Sequence, residues 1–120
     1  MAMSVLGASA MAVTLLVAVL HVYFLVLEMF LWTKPQGLKT FRNTPEKAQA
    51  TRVLAANQGL YNGFLAAGII AGVVLAQPVL VTFALVCVVV AGAYGAYSVS
   101  PRIFYVQAVP AIVALLLRAL

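Results

Sequence analysis

Acidic side chains are almost missing from this sequence: Glu28 and Glu46 are the only two in 120 residues, and Asp does not occur. Charged residues of both signs make up 8% and hydrophobic ones 66%, against roughly 25% and 45–50% in soluble domains. A chain this short has too little interior to hide so much apolar surface from water. A freestanding soluble enzyme is therefore excluded, and a lipid bilayer is the natural solvent. Cysteine is equally scarce: Cys87 stands alone inside an apolar run, which excludes an internal disulfide framework and any multi-cysteine zinc or iron–sulfur site. No glycine-rich phosphate loop or dinucleotide fingerprint occurs, so no nucleotide chemistry is expected.

What the chain has in quantity is apolar length. After Ser4 no charge appears before Glu28, and residues 5–27 hold only Ser9, Thr14 and His21 as strongly polar interruptions. About 20 helical residues cross a hydrocarbon core of about 30 Å, so a first span over residues 5–32 crosses with tilt. The opening Met1-Ala2-Met3-Ser4 has no Lys or Arg, which argues against a cleaved signal peptide. Thr44-Pro45-Glu46 supplies a cap, a proline suited to the first helical position and an acid at the positive helix end. A second helix starts there and crosses lipid over residues 50–76. Gln77-Pro78 makes a tight turn, residues 79–97 form a third span, Ser98 to Arg102 interrupt it, and residues 103–119 make a shorter fourth. The expectation is one all-α domain over residues 1–120, an integral membrane bundle of four transmembrane helices.

Basic residues set its direction. Lys34, Lys39, Arg42, Lys47 and Arg52 lie in or beside a loop over residues 33–49, Arg102 lies in the third connection, and Arg118 alone falls opposite. The positive-inside rule makes that loop cytoplasmic and puts both termini outside, in a multi-pass protein of the cell inner (plasma) membrane. Orientation accounts for the positive charge without nucleic acid, so membrane lipids are the expected partners.

Polar groups at membrane depth are costly and mark candidate sites. With Trp32, Val53, Ser98 and Arg102 at the inner boundary, the helical rise puts Glu28 and Asn57 about 6 Å deep and Tyr94 and Tyr105 about 5–6 Å deep. Tyr61 and Asn62 follow at about 12–14 Å and His21 at about 16 Å. His21 and Glu28 are seven apart and share a face, with about 10.5 Å between them for a water, a side chain or a slim ligand. Asn57 with Tyr61 and Gln58 with Asn62 pair at i,i+4. Docked on His21 and Glu28, that polar face builds a cytoplasm-facing pocket. Glu28 and His21 are its candidate acid–base pair, and Asn57, Gln58, Tyr61, Asn62, Tyr94 and Tyr105 its candidate ligand-binding residues.

Plainer roles compete for the same residues. Buried amides tie helices together, Glu28 can snorkel toward Lys34 or Arg52, and tyrosines anchor at the interface. Haem ligation through His21 is an alternative that lacks a second ligand, and neither a metal nor another cofactor is expected. Gly59-x-x-x-Gly63, Gly68-x-x-x-Gly72 and the Gly92, Gly95 pair allow close helix approach, within the chain or between copies in a homo-oligomer.

His21-x-Tyr23 leading into Leu27-Glu28-Met29-Phe30-x-Trp32, followed by Ala55-Ala56-Asn57-Gln58-Gly59-Leu60-Tyr61-Asn62, resembles the small integral-membrane family called domain of unknown function 1304. The likeness covers nearly the whole chain and is specific in those two segments. It implies a four-span membrane protein and supplies no reaction. The residues themselves point to binding of a lipophilic small molecule that enters from the inner leaflet, with redox-neutral, isomerase-like acid–base chemistry. Proton-coupled small-molecule transport through Glu28 and a structural role in a larger membrane complex remain alternatives.

Overall fold

A computed structural model of the chain describes residues 4–120, and all regular structure among them is helical. Helix α1 (Val5–Met29) is capped by Ser4, whose hydroxyl accepts from the Gly7 N–H at 2.9 Å. The short α2 (Pro35–Phe41) follows, then α3 (Pro45–Val74), where the Thr44 hydroxyl accepts from the Lys47 N–H at 3.2 Å. Helix α4 (Pro78–Ser98) starts on its proline one residue after Gln77. A π turn over Phe104–Ala108 leads into α5 (Val109–Ala119). Helices α1, α3 and α4 are each long and apolar enough to cross a membrane, whereas Phe104–Ala119 is shorter. At the α-helical rise that last segment reaches about 24 Å at most.

Helix α1 packs on α3 and α5, and α4 packs on α3, the π turn and α5. Each long helix thus neighbours the next in the chain, and the last returns to the first, as short links between antiparallel helices require. The bundle is 54 Å long and 26 × 20 Å across. Its core joins Val17 and Ala18 of α1, Ile69 of α3, Val81, Leu85 and Val88 of α4, and Ala111 and Ala114 of α5. The outside is apolar as well: Val79 is 80%, Val53 76% and Phe83 66% exposed. Water would penalise such a surface, and hydrocarbon does not.

Small residues set the spacing. On α3 the buried Ala48, Ala55, Asn62 and Ile69 recur every seven residues, with Gly59 and Ala66 between them. That 3.5-residue period keeps one narrow stripe against its neighbours, and small side chains let the backbones come close. Where α4 meets the π turn, a Cβ on Gly92 would lie 2.8 Å from the Ala108 backbone nitrogen.

The π turn has a local cause. Pro110 has no N–H and its ring crowds the carbonyl one turn back, so the ordinary ladder cannot pass through it. The Val109 N–H bonds instead to the Phe104 carbonyl, five residues back, which widens the turn to accommodate the ring.

Sequence reasoning expects a loop over residues 33–49 and misses α2. Seven residues are too few to show a helical period. Yet Pro35 fits the first turn, and Arg42, at φ 52°, closes the helix in the left-handed region with Asn43 N–H bonded to the Leu38 carbonyl at 2.9 Å. The helix lies directly on the end of α1, because a Cβ on Gly37 would sit 1.9 Å from the Leu31 carbonyl oxygen. Gln36 Nε2 donates to the Tyr23 hydroxyl at 3.1 Å, and Arg102 Nη2 donates to the Thr40 carbonyl at 3.2 Å. Trp32 Nε1 donates to Thr51 Oγ1 at 3.1 Å. Together these bonds join α1, α2, α3 and the α4–α5 turn at the basic end.

Gly92→Ala should lower the thermal midpoint in detergent, with a cost of about 1–3 kcal/mol from overpacking against backbone. Gly68→Ala should be neutral or mildly stabilising, because its Cβ would meet only the Ala84 Cβ at 3.7 Å and alanine is the better helix former. Equal melting shifts in the two variants would refute this account of the α4–π-turn contact.

Candidate functional site

The polar centre forms where α1 and α3 approach closely at Gly59. A Cβ on Gly59 would lie 3.0 Å from the Glu28 Cβ and 3.2 Å from the Leu25 carbonyl oxygen, so the two backbones are nearly in contact at that height. Side chains lean toward the N-terminus of their own helix. As α1 and α3 run in opposite directions, Glu28 and Asn62 lean toward each other from one turn apart. Asn62 Nδ2 donates to Glu28 Oε1. Among the described residues this is the one side-chain hydrogen bond joining two of the long helices. Asn62 is 3% exposed and Glu28 is half-buried.

Asn62 has a second outlook. Helices α3 and α4 touch where Gly72 meets Val81, and farther toward the basic end they leave a cleft of about 440 Å³. Its walls are mostly apolar, from Phe64, Leu65 and Gly68 on α3 and Phe83, Ala84 and Cys87 on α4. Gln58, Tyr61 and Asn62 supply its polar end, with Tyr61 edge-on to Phe64 at 5.7 Å. Asn62 Oδ1 accepts no hydrogen bond from the described residues and is not enclosed. One amide therefore holds the carboxyl of Glu28 with its nitrogen, carries no hydrogen bond on its oxygen, and belongs to a residue that borders the cleft.

The other residues expected at the site are distributed differently. Asn57, Gln58 and Tyr61 are exposed rather than docked on His21 and Glu28. Gln58 and Tyr61 still border the cleft, whereas Asn57 lies outside its lining. Tyr94 and Tyr105, each 69% exposed, face outward and do not line the cleft. Of the six ligand-binding candidates, Gln58, Tyr61 and Asn62 border the lateral gap between α3 and α4, and Asn57, Tyr94 and Tyr105 do not.

His21 is 1% exposed. Its Nδ1 lies 2.8 Å from the Val17 carbonyl oxygen. A carbonyl only accepts, so a ring proton sits on Nδ1. Nε2 finds no partner among the described residues, and Phe24 packs edge-on at 5.2 Å. His21 makes no hydrogen bond to Glu28, and two helical turns leave their backbones about 10.5 Å apart. A proton cannot pass directly between them. No group of three or more His, Cys, Asp or Glu that could hold a metal occurs among the described residues. What sequence reasoning missed at this site is the α4 wall of the cleft. Its residues are ordinary apolar positions, and nothing short of the helix arrangement distinguishes them.

Alanine at either Glu28 or Asn62 should cost about 1–3 kcal/mol, since each leaves the other as an unsatisfied buried group. Replacing both should cost less than the sum, with a coupling of about 0.5–3 kcal/mol. Additive losses of thermal stability in detergent would show that the bond does not tie α1 to α3.

A model of the family described as "Protein of unknown function (DUF1304)" matches residues 15–119. No curated protein and no solved structure matches the chain.

Proposed function

The chain belongs to the DUF1304 family of proteins of unknown function, and we propose that it binds a lipophilic small molecule in the lateral cleft between α3 and α4. The observation that carries this reading is the Asn62 amide, buried between Glu28 and an apolar cleft with its Oδ1 left to accept. An open acceptor at the end of an apolar slot selects a guest with an apolar body and a hydrogen-bond-donating head, such as a long-chain alcohol or amide. Gln58, which both donates and accepts, supplies a second contact for that head. The guest enters sideways from the membrane. Glu28 lies behind Asn62 and outside the lining of the cleft, so the redox-neutral, isomerase-like chemistry proposed as the reaction class requires the Asn62 side chain to swing aside and let a bound head meet the carboxyl. His21 stands apart from this step.

We read the molecule as crossing the membrane four times with both termini outside, the fourth crossing being the short Phe104–Ala119 helix. The distribution of charge supports this direction. The Arg102–Thr40 bond brings the third connection onto the basic α2 segment, leaving Arg118 alone at the opposite end. In a cell with one membrane around its cytoplasm, that orientation places α2 inside. With Cys87→Ala as background, Lys39→Cys should react with a membrane-impermeant maleimide only after the cells are opened. Labelling of intact cells would invert the topology.

For the ligand, a diazirine-bearing long-chain alcohol should crosslink the purified protein within residues 58–65 and 80–91. Its methyl ether, which cannot donate, should label several-fold less. Asn62→Leu should remove the preference for the alcohol while the folded protein persists by circular dichroism. Equal labelling by alcohol and ether in the wild type would reject the head-group reading, and labelling spread over the whole lipid-facing surface would reject the cleft.

A further inference from the structure

We propose that two copies of this chain pair in the membrane along the outward face of α3, with the Asn57 amide of one copy hydrogen-bonded to the same amide of the other. Asn57 is exposed, lies outside the lining of the α3–α4 cleft and joins in none of the side-chain hydrogen bonds among the described residues. Four residues beyond Val53 at the inner boundary, it stands about 6 Å inside the hydrocarbon. Long basic side chains reach back to the headgroups from such a depth, and the short asparagine side chain does not. In a single copy its donor and acceptor therefore face lipid, which satisfies neither.

The rest of that face suits a second helix. Val53, Asn57, Leu60, Phe64 and Ala67 are all exposed and follow one another at alternating steps of four and three. This is the seven-residue period of a helix-pairing seam, with Asn57 as its single amide. At about 100° per residue, Asn57 and Leu60 stand about 140° and 160° to either side of Asn62, so the seam runs opposite the stripe that packs inside the bundle. The occupant follows from the amide. An amide both donates and accepts, so its partial charges are complementary to those of a second amide at the same height. Copies inserted in one direction bring their Asn57 side chains to the same depth without adjustment, and a lone asparagine in such a seam fixes parallel, in-register pairing. An acyl chain offers neither donor nor acceptor. Phe64 belongs both to this seam and to the wall of the α3–α4 cleft, so the second copy borders the cleft, while the pairing itself is independent of any guest there.

Disulfide trapping in native membranes tests the pairing. With Cys87→Ala as background, Val53→Cys and Leu60→Cys on the seam should each give a covalent dimer on mild oxidation. Val19→Cys on α1 and Val90→Cys on α4, at positions 64% and 62% exposed, should stay monomeric. Asn57→Leu should reduce the Leu60→Cys dimer about three- to tenfold, the loss expected for one interhelical amide hydrogen bond. Asn57→Gln, which keeps a donor and an acceptor, should restore most of it. Circular dichroism establishes that each variant is folded before the comparison is made. Absence of a Leu60→Cys dimer in folded protein would overturn the proposal, as would a dimer unchanged by Asn57→Leu. Equal trapping at Val19→Cys and Val90→Cys would mean random collision and overturn it as well. A disulfide between Val53→Cys and Val74→Cys in a mixed population would show copies running in opposite directions and overturn the in-register arrangement, and trapping of Leu60→Cys to a different protein would give the face to another partner.

Discussion

A polar group inside a bilayer has no water to fall back on, and the hydrogen bond between Asn62 and Glu28 is how this bundle meets that constraint between α1 and α3. Everything near it is arranged to permit the approach. Gly59 removes the side chain that would hold α1 and α3 apart, and Ala55 and Ala66 continue the same small stripe. The bond also fixes register. Sliding α3 by one turn toward the basic end would bring Ala66 opposite the carboxyl and leave it without a donor. Apolar packing between such smooth surfaces selects register weakly, whereas one buried polar pair selects it strongly.

Fixing α1 against α3 determines where the bundle can be open. The Gly72–Val81 contact brings α3 and α4 together at one end, and the Gly92–Ala108 contact draws α4 toward the π turn at the other. Helix α4 is thereby held on two sides, and the gap between α3 and α4 is what remains. Pro110 contributes by forcing the wide turn at Phe104–Ala108 that receives Gly92. At the basic end α2 closes the structure with hydrogen bonds to α1 and to the α4–α5 turn. Its cations remain on the outside.

Much of this was legible in the sequence. The long apolar runs and the Thr44-Pro45 and Gln77-Pro78 start signals locate the long helices to within a few residues. The polar content of two segments singles out His21, Glu28 and Asn62, and all three lie inside the bundle. Azimuth was not legible. Apolar residues cover every side of a lipid-facing helix, so hydrophobicity no longer tells which side faces its neighbours. The heptad of small residues on α3 settles it. At about 100° per residue, Asn57 stands about 140° and Tyr61 about 100° from Asn62, whereas Gln58 is only about 40° away. Asn57 therefore faces outward and Gln58 borders the cleft. Seven residues of α2 carry no period of their own, and its seat on the end of α1 through Gly37 and Leu31 is displayed only by the folded chain.

The separation of His21 from Glu28 also constrains mechanism. His21 is sealed among apolar neighbours with its Nδ1 proton committed to Val17, so an imidazole–carboxyl couple would need a guest long enough to bridge about 10.5 Å inside the α1 seam. The cleft lies on the other side of Asn62. Any communication between a guest there and Glu28 runs through a single amide group, whose two ends are electronically coupled: a donor bound at Oδ1 polarises the group and makes Nδ2–H a stronger donor to the carboxyl. A guest that cannot donate leaves that bond unchanged. For the function proposed here, the donor strength of the guest's head, more than the length of its apolar body, decides whether Glu28 responds to its arrival.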